Sequence, residues 1–175
     1  MIPMGDIPWW YAAIHPHRAA VVHDNVALDW LGLARGATRR ARALRDLGLA
    51  ESEYVVVSLR NSNEFVETIF GVWMAGGAIV LANPSSPMSE VTRLIHLAEA
   101  RIVIGRDRDL PPGVTGLPAN WKGEGHSEER MESRVARYWK ALPSGGSTGK
   151  PKLIVSNRRA EVDPDCCEVW DSAVH

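Results

Sequence analysis

Three short apolar runs, at residues 54–59, 78–82 and 102–104, constrain this chain more than any other feature. They read Tyr-Val-Val-Val-Ser-Leu, Ala-Ile-Val-Leu-Ala and Ile-Val-Ile, and only Ser58 interrupts them. Strands of this kind carry apolar side chains on both faces and have to be covered on both. Between the runs, apolar residues recur at helical spacing. One stretch opens at Asn63-Glu64, runs through Phe65, Val66, Ile69, Phe70 and Trp73, and stops at Gly76-Gly77; the other spans about 89–100. A further helix precedes the first run, from Asp29 through Ala34, Ala37, Ala41 and Leu44 to the stop at Gly48. Strand, helix, strand, helix, strand with short connections predicts a parallel α/β sheet with helices layered on it.

Outside this unit the patterning is weaker. Residues 1–28 read as an irregular lead-in holding the aromatic run Trp9-Trp10-Tyr11 and short strands at 19–22 and 26–28. Residues 106–136 mix Pro111-Pro112-Gly113, Gly123-Glu124-Gly125 and Glu128-Glu129-Arg130, and read as a long surface connection, with order returning near Tyr138. The expected division is an α/β subdomain at 1–105, a connecting surface segment at 106–140, and a loop with its following strand at 141–175.

Bulk properties narrow the function classes. The 175 residues carry 20 Lys+Arg against 21 Asp+Glu, a formal charge of −1. Nucleic-acid and anionic-membrane binders usually show a clear basic excess, so no nucleic-acid partner is expected. The longest uncharged apolar stretch, 69–82, contains Gly76-Gly77 and falls short of the ~20 residues of a membrane-spanning helix. The N-terminus shows no basic segment leading into an apolar run, so no signal peptide is read. Cys166 and Cys167 are sequence neighbours with no metal-ligand spacing around them, and they read as free thiols in a cytoplasmic protein.

The chemistry concentrates at residues 143–155: Pro-Ser-Gly-Gly-Ser-Thr-Gly-Lys-Pro-Lys-Leu-Ile-Val. Three glycines, three hydroxyl residues and two lysines fall within the nine positions from Ser144 to Lys152. Glycines let successive backbone N–H groups face one concavity that binds anions. Hydroxyls add neutral donors, and a lysine adds a point charge suited to a polyphosphate. A Walker A loop is excluded, because Pro151 follows Lys150 and Leu153-Ile154-Val155 reads as strand where that motif needs a helix. A plain glycine/serine turn is the bland alternative for such a run.

The ordered string Ser144-Gly145-Gly146-Ser147-Thr148-Gly149-Lys150-Pro151-Lys152 resembles the phosphate-binding loop of the AMP-forming adenylate superfamily. The resemblance extends to the 15–21 opening, the 31–49 helix, the strand and helix start at 55–65, and the 71–84 passage. It implies the N-terminal part of that family's large domain, a layered α/β/α unit, here truncated. It implies a carboxylate attacking the α-phosphate of ATP to give an acyl-adenylate and pyrophosphate, followed by transfer of the acyl group to a thiol. Ser144, Ser147 and Thr148 would offer hydroxyls, Gly145, Gly146 and Gly149 amides and room, and Lys152 a charge to the phosphates. Lys150 stands at the family's variable position. ATP, Mg2+ and coenzyme A are the implied cofactors, and the Gly-Gly form of the loop points to acyl-CoA synthetases with a lipid-like carboxylic acid substrate. Two alternatives stand beside that reading: an inactive fragment that binds nucleotide or a partner, and an adenylation domain that loads a carrier protein. The family's later motifs, including its catalytic lysine, have no counterpart in the 175 residues, so no catalytic residue and no metal ligand is assigned, and the chain by itself is expected to be inactive.

Other candidates are weaker. His15 and His17 flank Pro16 with no third ligand nearby. Arg35, Arg39 and Arg42 form a helix stripe of the kind that is usually solvated. The seven tryptophans are dispersed and read as core or interface residues.

Overall fold

The computed structural model describes residues 1–144 and 152–164. In chain order these are β1 (Ile2–Pro3), a 3-10 turn (Met4–Asp6), α1 (Ile7–Ile14), β2 (Ala19–His23), β3 (Val26–Asp29), α2 (Trp30–Asp46), β4 (Tyr54–Val57), α3 (Asn63–Ala75), β5 (Ala78–Leu81), α4 (Met88–Ala98), β6 (Ile102–Ile104), β7 (Thr115–Leu117), β8 (Lys140–Pro143), β9 (Leu153–Val155) and β10 (Glu161–Val162). Six strands form one sheet in the order β7-β6-β4-β5-β8-β9. The first five run parallel, and β9 turns back antiparallel against β8.

The apolar runs are buried on both faces, as their composition requires. Val55 and Val57 of β4, Ile79 of β5, and Ile102 and Ile104 of β6 pack under Leu33, Ala37, Ala41 and Leu44 of α2 and Phe70, Val72 and Met74 of α3. The alternate residues Val56, Val80 and Val103 face the opposite way, against Val91, Leu94, Ile95 and Ala98 of α4. The result is the expected α/β/α layering. Side-chain caps start two of the helices: Asp29 Oδ1 accepts from Gly32 N at 2.7 Å, and Ser62 Oγ accepts from Phe65 N at 3.1 Å.

Three findings depart from the sequence reading. The aromatic run Trp9-Trp10-Tyr11 is helical, because α1 lies on α2: Trp9 Nε1 donates to Thr38 Oγ1 at 2.9 Å and Tyr11 stacks on Trp30 at 4.5 Å. Thr115–Leu117, within the segment read as surface connection, is a strand of the main sheet, parallel to β6. Two arginines of the α2 stripe, Arg39 and Arg42, are partly covered instead of solvated, whereas Arg35 stays exposed. Residues 122–134 cross the helix: Arg39 pairs with Glu128, Arg42 Nη2 donates to the Glu129 carbonyl at 3.0 Å, and Arg45 Nη2 reaches the Glu132 and Met74 carbonyls at 2.9 and 2.8 Å. This strap runs so close to α2 that a Cβ on Gly123, whose φ is +69°, would lie 2.8 Å from the Arg39 backbone.

Between α2 and α3 sits a buried ion pair, Arg40 Nη1 to Glu67 Oε2 at 2.8 Å. Burial pulls Arg40 below and pushes Glu67 above its ordinary pKa, and the mutual attraction opposes both shifts.

Candidate functional site

Parallel strands end at one edge of a sheet, and here β4, β5, β6 and β8 bring Ser58, Ala82, Gly105 and Ser144 to that edge. Ligands of open α/β sheets bind outside the carboxyl ends of the strands. An open cleft of about 530 Å³ lies there, lined among others by Ser58, Arg60, Ser62, Glu64, Arg106 and Lys122. Arg106 ties its rim together. Nε donates to Ser58 Oγ at 3.2 Å, and Nη2 donates to the Pro84 carbonyl and, at 3.1 Å, to that of Ser86. Gly105 makes this possible, since at φ +97° its missing Cβ would stand 2.3 Å from the Ser58 carbonyl oxygen. The rim holds three cations and one carboxylate. A backbone amide at its own position keeps Glu64 below the usual carboxylate range against the opposing effect of burial, with smaller contributions from Ser62, Lys122 and Arg40.

The glycine-rich segment leaves the same edge, one strand away. Ile79 pairs with Lys140 and Val80 with Ala141, so β8 emerges beside β5 and delivers Ser144 at the carboxyl edge. Lys152 then opens the return strand. The two residues close the base of the hairpin reciprocally: Ser144 N donates to the Lys152 carbonyl at 2.8 Å, and Lys152 N donates to Ser144 Oγ at 3.0 Å. One lone pair of the Ser144 hydroxyl is therefore committed to the hairpin, and among the described residues its O–H hydrogen has no acceptor. The Lys152 side chain is exposed, and its ammonium forms no ion pair among the described residues. Gly145, Gly146, Ser147, Thr148 and Gly149 lie outside the described residues, as do Cys166 and Cys167.

The structure adds Arg60, Arg106 and Lys122 to what the sequence suggested. They come from three separate segments and share no motif, and the only local signal is Arg106 standing directly after a strand-ending glycine. The histidine pair does not converge. His17 Nδ1 lies 3.2 Å from Asp29 Oδ2, and among the described residues no three carboxylate, histidine or cysteine side chains could hold a metal ion together. No helix among them is long and apolar enough to cross a membrane.

In this α/β/α unit β8 ends at the carboxyl edge of the sheet, where the sequence enters its Gly/Ser/Thr/Lys stretch. The sequence profile of the AMP-binding enzyme family matches residues 9–138, and the chain belongs to this adenylate-forming family, whose members are ligases, and corresponds to its N-terminal portion. It is 33% identical over 172 aligned positions to pyochelin synthase PchD of Pseudomonas aeruginosa, covering 85% of this chain and 31% of that protein. It is 35% identical over 174 positions to 2,3-dihydroxybenzoate-AMP ligase of Bacillus subtilis, covering 86% of this chain and 32% of that protein. Among solved structures, the nonribosomal peptide synthetase FmoA3 superposes with a TM-score of 0.82 at 27% identity, over 97% of this chain and 19% of that one. The chain thus spans about a third of the length of these two curated relatives.

Proposed function

We propose that these residues form the N-terminal portion of an adenylate-forming ligase that activates an amino or aryl acid with ATP and passes the acyl group to the thiol of a carrier protein. The observation that carries this reading is the family match over 9–138 joined to the Ser144–Lys152 segment at the carboxyl edge of β8. A carboxylate oxygen bonds to the α-phosphorus, the bond from that phosphorus to the bridging oxygen breaks, and pyrophosphate leaves. The thiolate then attacks the acyl carbon and AMP departs. Ser144, Ser147, Thr148 and Lys152, with the amides of Gly145, Gly146 and Gly149, hold the β- and γ-phosphates as charge moves onto pyrophosphate. Mg2+ would accompany ATP as its counter-ion.

The acceptor and substrate class depart from the expectation taken from the Gly145-Gly146 form of the loop, which pointed to coenzyme A and a lipid-like acid. The relatives named above are a pyochelin synthase and a dihydroxybenzoate-AMP ligase, and FmoA3 has been seen with α-methyl-L-serine-AMP at 29% identity to this chain. These names support carrier loading and an amino or aryl acid. The test is acid-dependent ATP–pyrophosphate exchange by the full-length protein across amino, aryl and fatty acids, followed by mass spectrometry of the thioester. Exchange with amino or aryl acids and a product on the carrier protein is expected; a product on coenzyme A, or exchange confined to fatty acids, restores the acyl-CoA synthetase reading. Lys152→Ala should slow exchange at least about tenfold while leaving transfer from preformed acyl-adenylate intact, and equal loss of both steps would contradict the role given to Lys152.

A further inference from the structure

The β8–β9 hairpin delivers Ser144 and Lys152, yet little in its own ladder fixes its register. It has three paired positions, Ala141 with Val155, Leu142 with Ile154 and Pro143 with Leu153. Bonds at Ser156 N to the Lys140 carbonyl and Ser144 N to the Lys152 carbonyl place the hydrogen-bonded pairs at 140/156 and 144/152. The alternation of an antiparallel ladder then puts Pro143 at a non-bonded pair, where its missing N–H costs nothing. Burial is a weak guide to register, because Ile154 is 63% and Val155 39% exposed on opposite faces of β9. A slip of one residue turns every side chain of a strand to the other face, and Lys152, directly before β9, would turn with it.

One side-chain contact spans the far end of the hairpin. Trp139 Nε1 donates to Ser156 Oγ at 2.6 Å. Trp139 is itself immobilised from two sides: its carbonyl accepts from Trp73 Nε1 of α3 at 2.8 Å and from Ile79 N of β5 at 3.2 Å, and the two indoles lie 5.8 Å apart. Lys140 Nζ sits 4.1 Å from the centre of the Trp139 ring and covers it. The strand that enters the glycine-rich segment is thus anchored to the core, and the strand that leaves it meets that anchor at the Ser156 hydroxyl, before Ala160 and Val162 are themselves held by the Ala136 carbonyl and by β1.

We propose that Trp139 and Ser156 are positioning residues for the phosphate-binding segment: their hydrogen bond pins the register of the β8–β9 hairpin and thereby the face from which Lys152 projects. The proposal rests on reading residues 144–152 as that segment, and its test separates the two. Hydrogen–deuterium exchange of the 175-residue chain reads the register, and titration with inorganic pyrophosphate and Mg2+ reads the segment. In Ser156→Ala and Trp139→Phe the amides of Ser144 and Lys152 should exchange about tenfold faster, the worth of one part-buried hydrogen bond, while those of residues 55–57 and 102–104 keep their wild-type rates. Ser156→Thr keeps the acceptor oxygen and should restore wild-type exchange at both amides. Pyrophosphate affinity should fall with Ser156→Ala and return with Ser156→Thr. Unchanged amide exchange in both disrupting variants, or a Ser156→Thr protein as impaired as Ser156→Ala, overturns the proposal. Amides that respond as expected in a wild-type chain that binds no pyrophosphate uphold the register pin and overturn the phosphate reading beneath it.

Discussion

Arg40 has no exposed side-chain surface, and its Nε and Nη2 find no hydrogen-bond partner among the described residues, while Nη1 serves both Glu67 and the Gly36 carbonyl. Burial works against the charge on both partners, as the opposite directions of their shifts record. A pair of this kind costs nearly as much to desolvate as it returns, but losing one member strands the other. Glu67→Leu or Arg40→Met alone should therefore lower unfolding stability by about 3–5 kcal/mol. The double variant Arg40→Met/Glu67→Leu should recover most of that loss, and urea denaturation of the four proteins measures the coupling. A double variant as unstable as the sum of the singles would show that the pair is not the coupled unit. The pH dependence has a definite sign: because the folded Glu67 value is raised, its contribution is full below the ordinary carboxylate value and declines as pH rises through the raised one. None of this is legible in the sequence. Arg40 sits between Arg39 and Arg42, and only the packing of Glu67 against α2 distinguishes it from its neighbours.

At the level of elements, legibility followed burial. The runs at β4, β5 and β6 announce themselves because strands covered on both faces need no polar alternation, and α2 and α3 carry both an apolar face and a capping residue. The segment from Ser144 to Lys152 was legible as a chemical string because its residues are contiguous. The cleft at the carboxyl edge was not, because Arg60, Arg106 and Lys122 meet only after three connections have folded to one edge. The first helix, α1, escaped for a different reason: aromatic residues are weak helix formers, and Pro8 in its first turn stands without a side-chain cap from Asp6. Its helicity comes from docking on α2, in which the Thr38 hydroxyl, fully buried, accepts from Trp9 Nε1 and donates to the Ala34 carbonyl. Thr38→Val keeps the shape and removes the acceptor. It should cost about 1–3 kcal/mol, the penalty for leaving a part-buried N–H unpaired, and should raise amide exchange in residues 7–14 ahead of the sheet. A loss of protection spread evenly over the chain would argue against a separately docked helix.

For the whole molecule, the sheet is asymmetric. Its parallel interior is closed on both faces, whereas its β9 edge pairs, among the described residues, with β8 alone. Leu142 and Ile154 stand opposite each other in the register and are 38% and 63% exposed, and Val155 adds 39% on the other face. An open backbone ladder flanked by large apolar side chains is the combination that natural edge strands avoid with charges or bulges. The chain spans about a third of the length of pyochelin synthase PchD and of 2,3-dihydroxybenzoate-AMP ligase. Taken alone, the 175-residue polypeptide should self-associate, its weight-average mass in sedimentation rising with concentration. Ile154→Lys places a charge on the exposed edge without entering the core. It should suppress the association while changing unfolding stability by no more than about 0.5 kcal/mol, as surface substitutions do. Salt discriminates the cause: edge pairing driven by apolar contact strengthens in sulfate, whereas association through exposed charges weakens as ionic strength rises. A wild-type chain that stays monomeric at every concentration, or an Ile154→Lys chain that associates as before, would remove the β9 edge as the contact and turn attention to the exposed valines of the β2–β3 ribbon, Val22 and Val26.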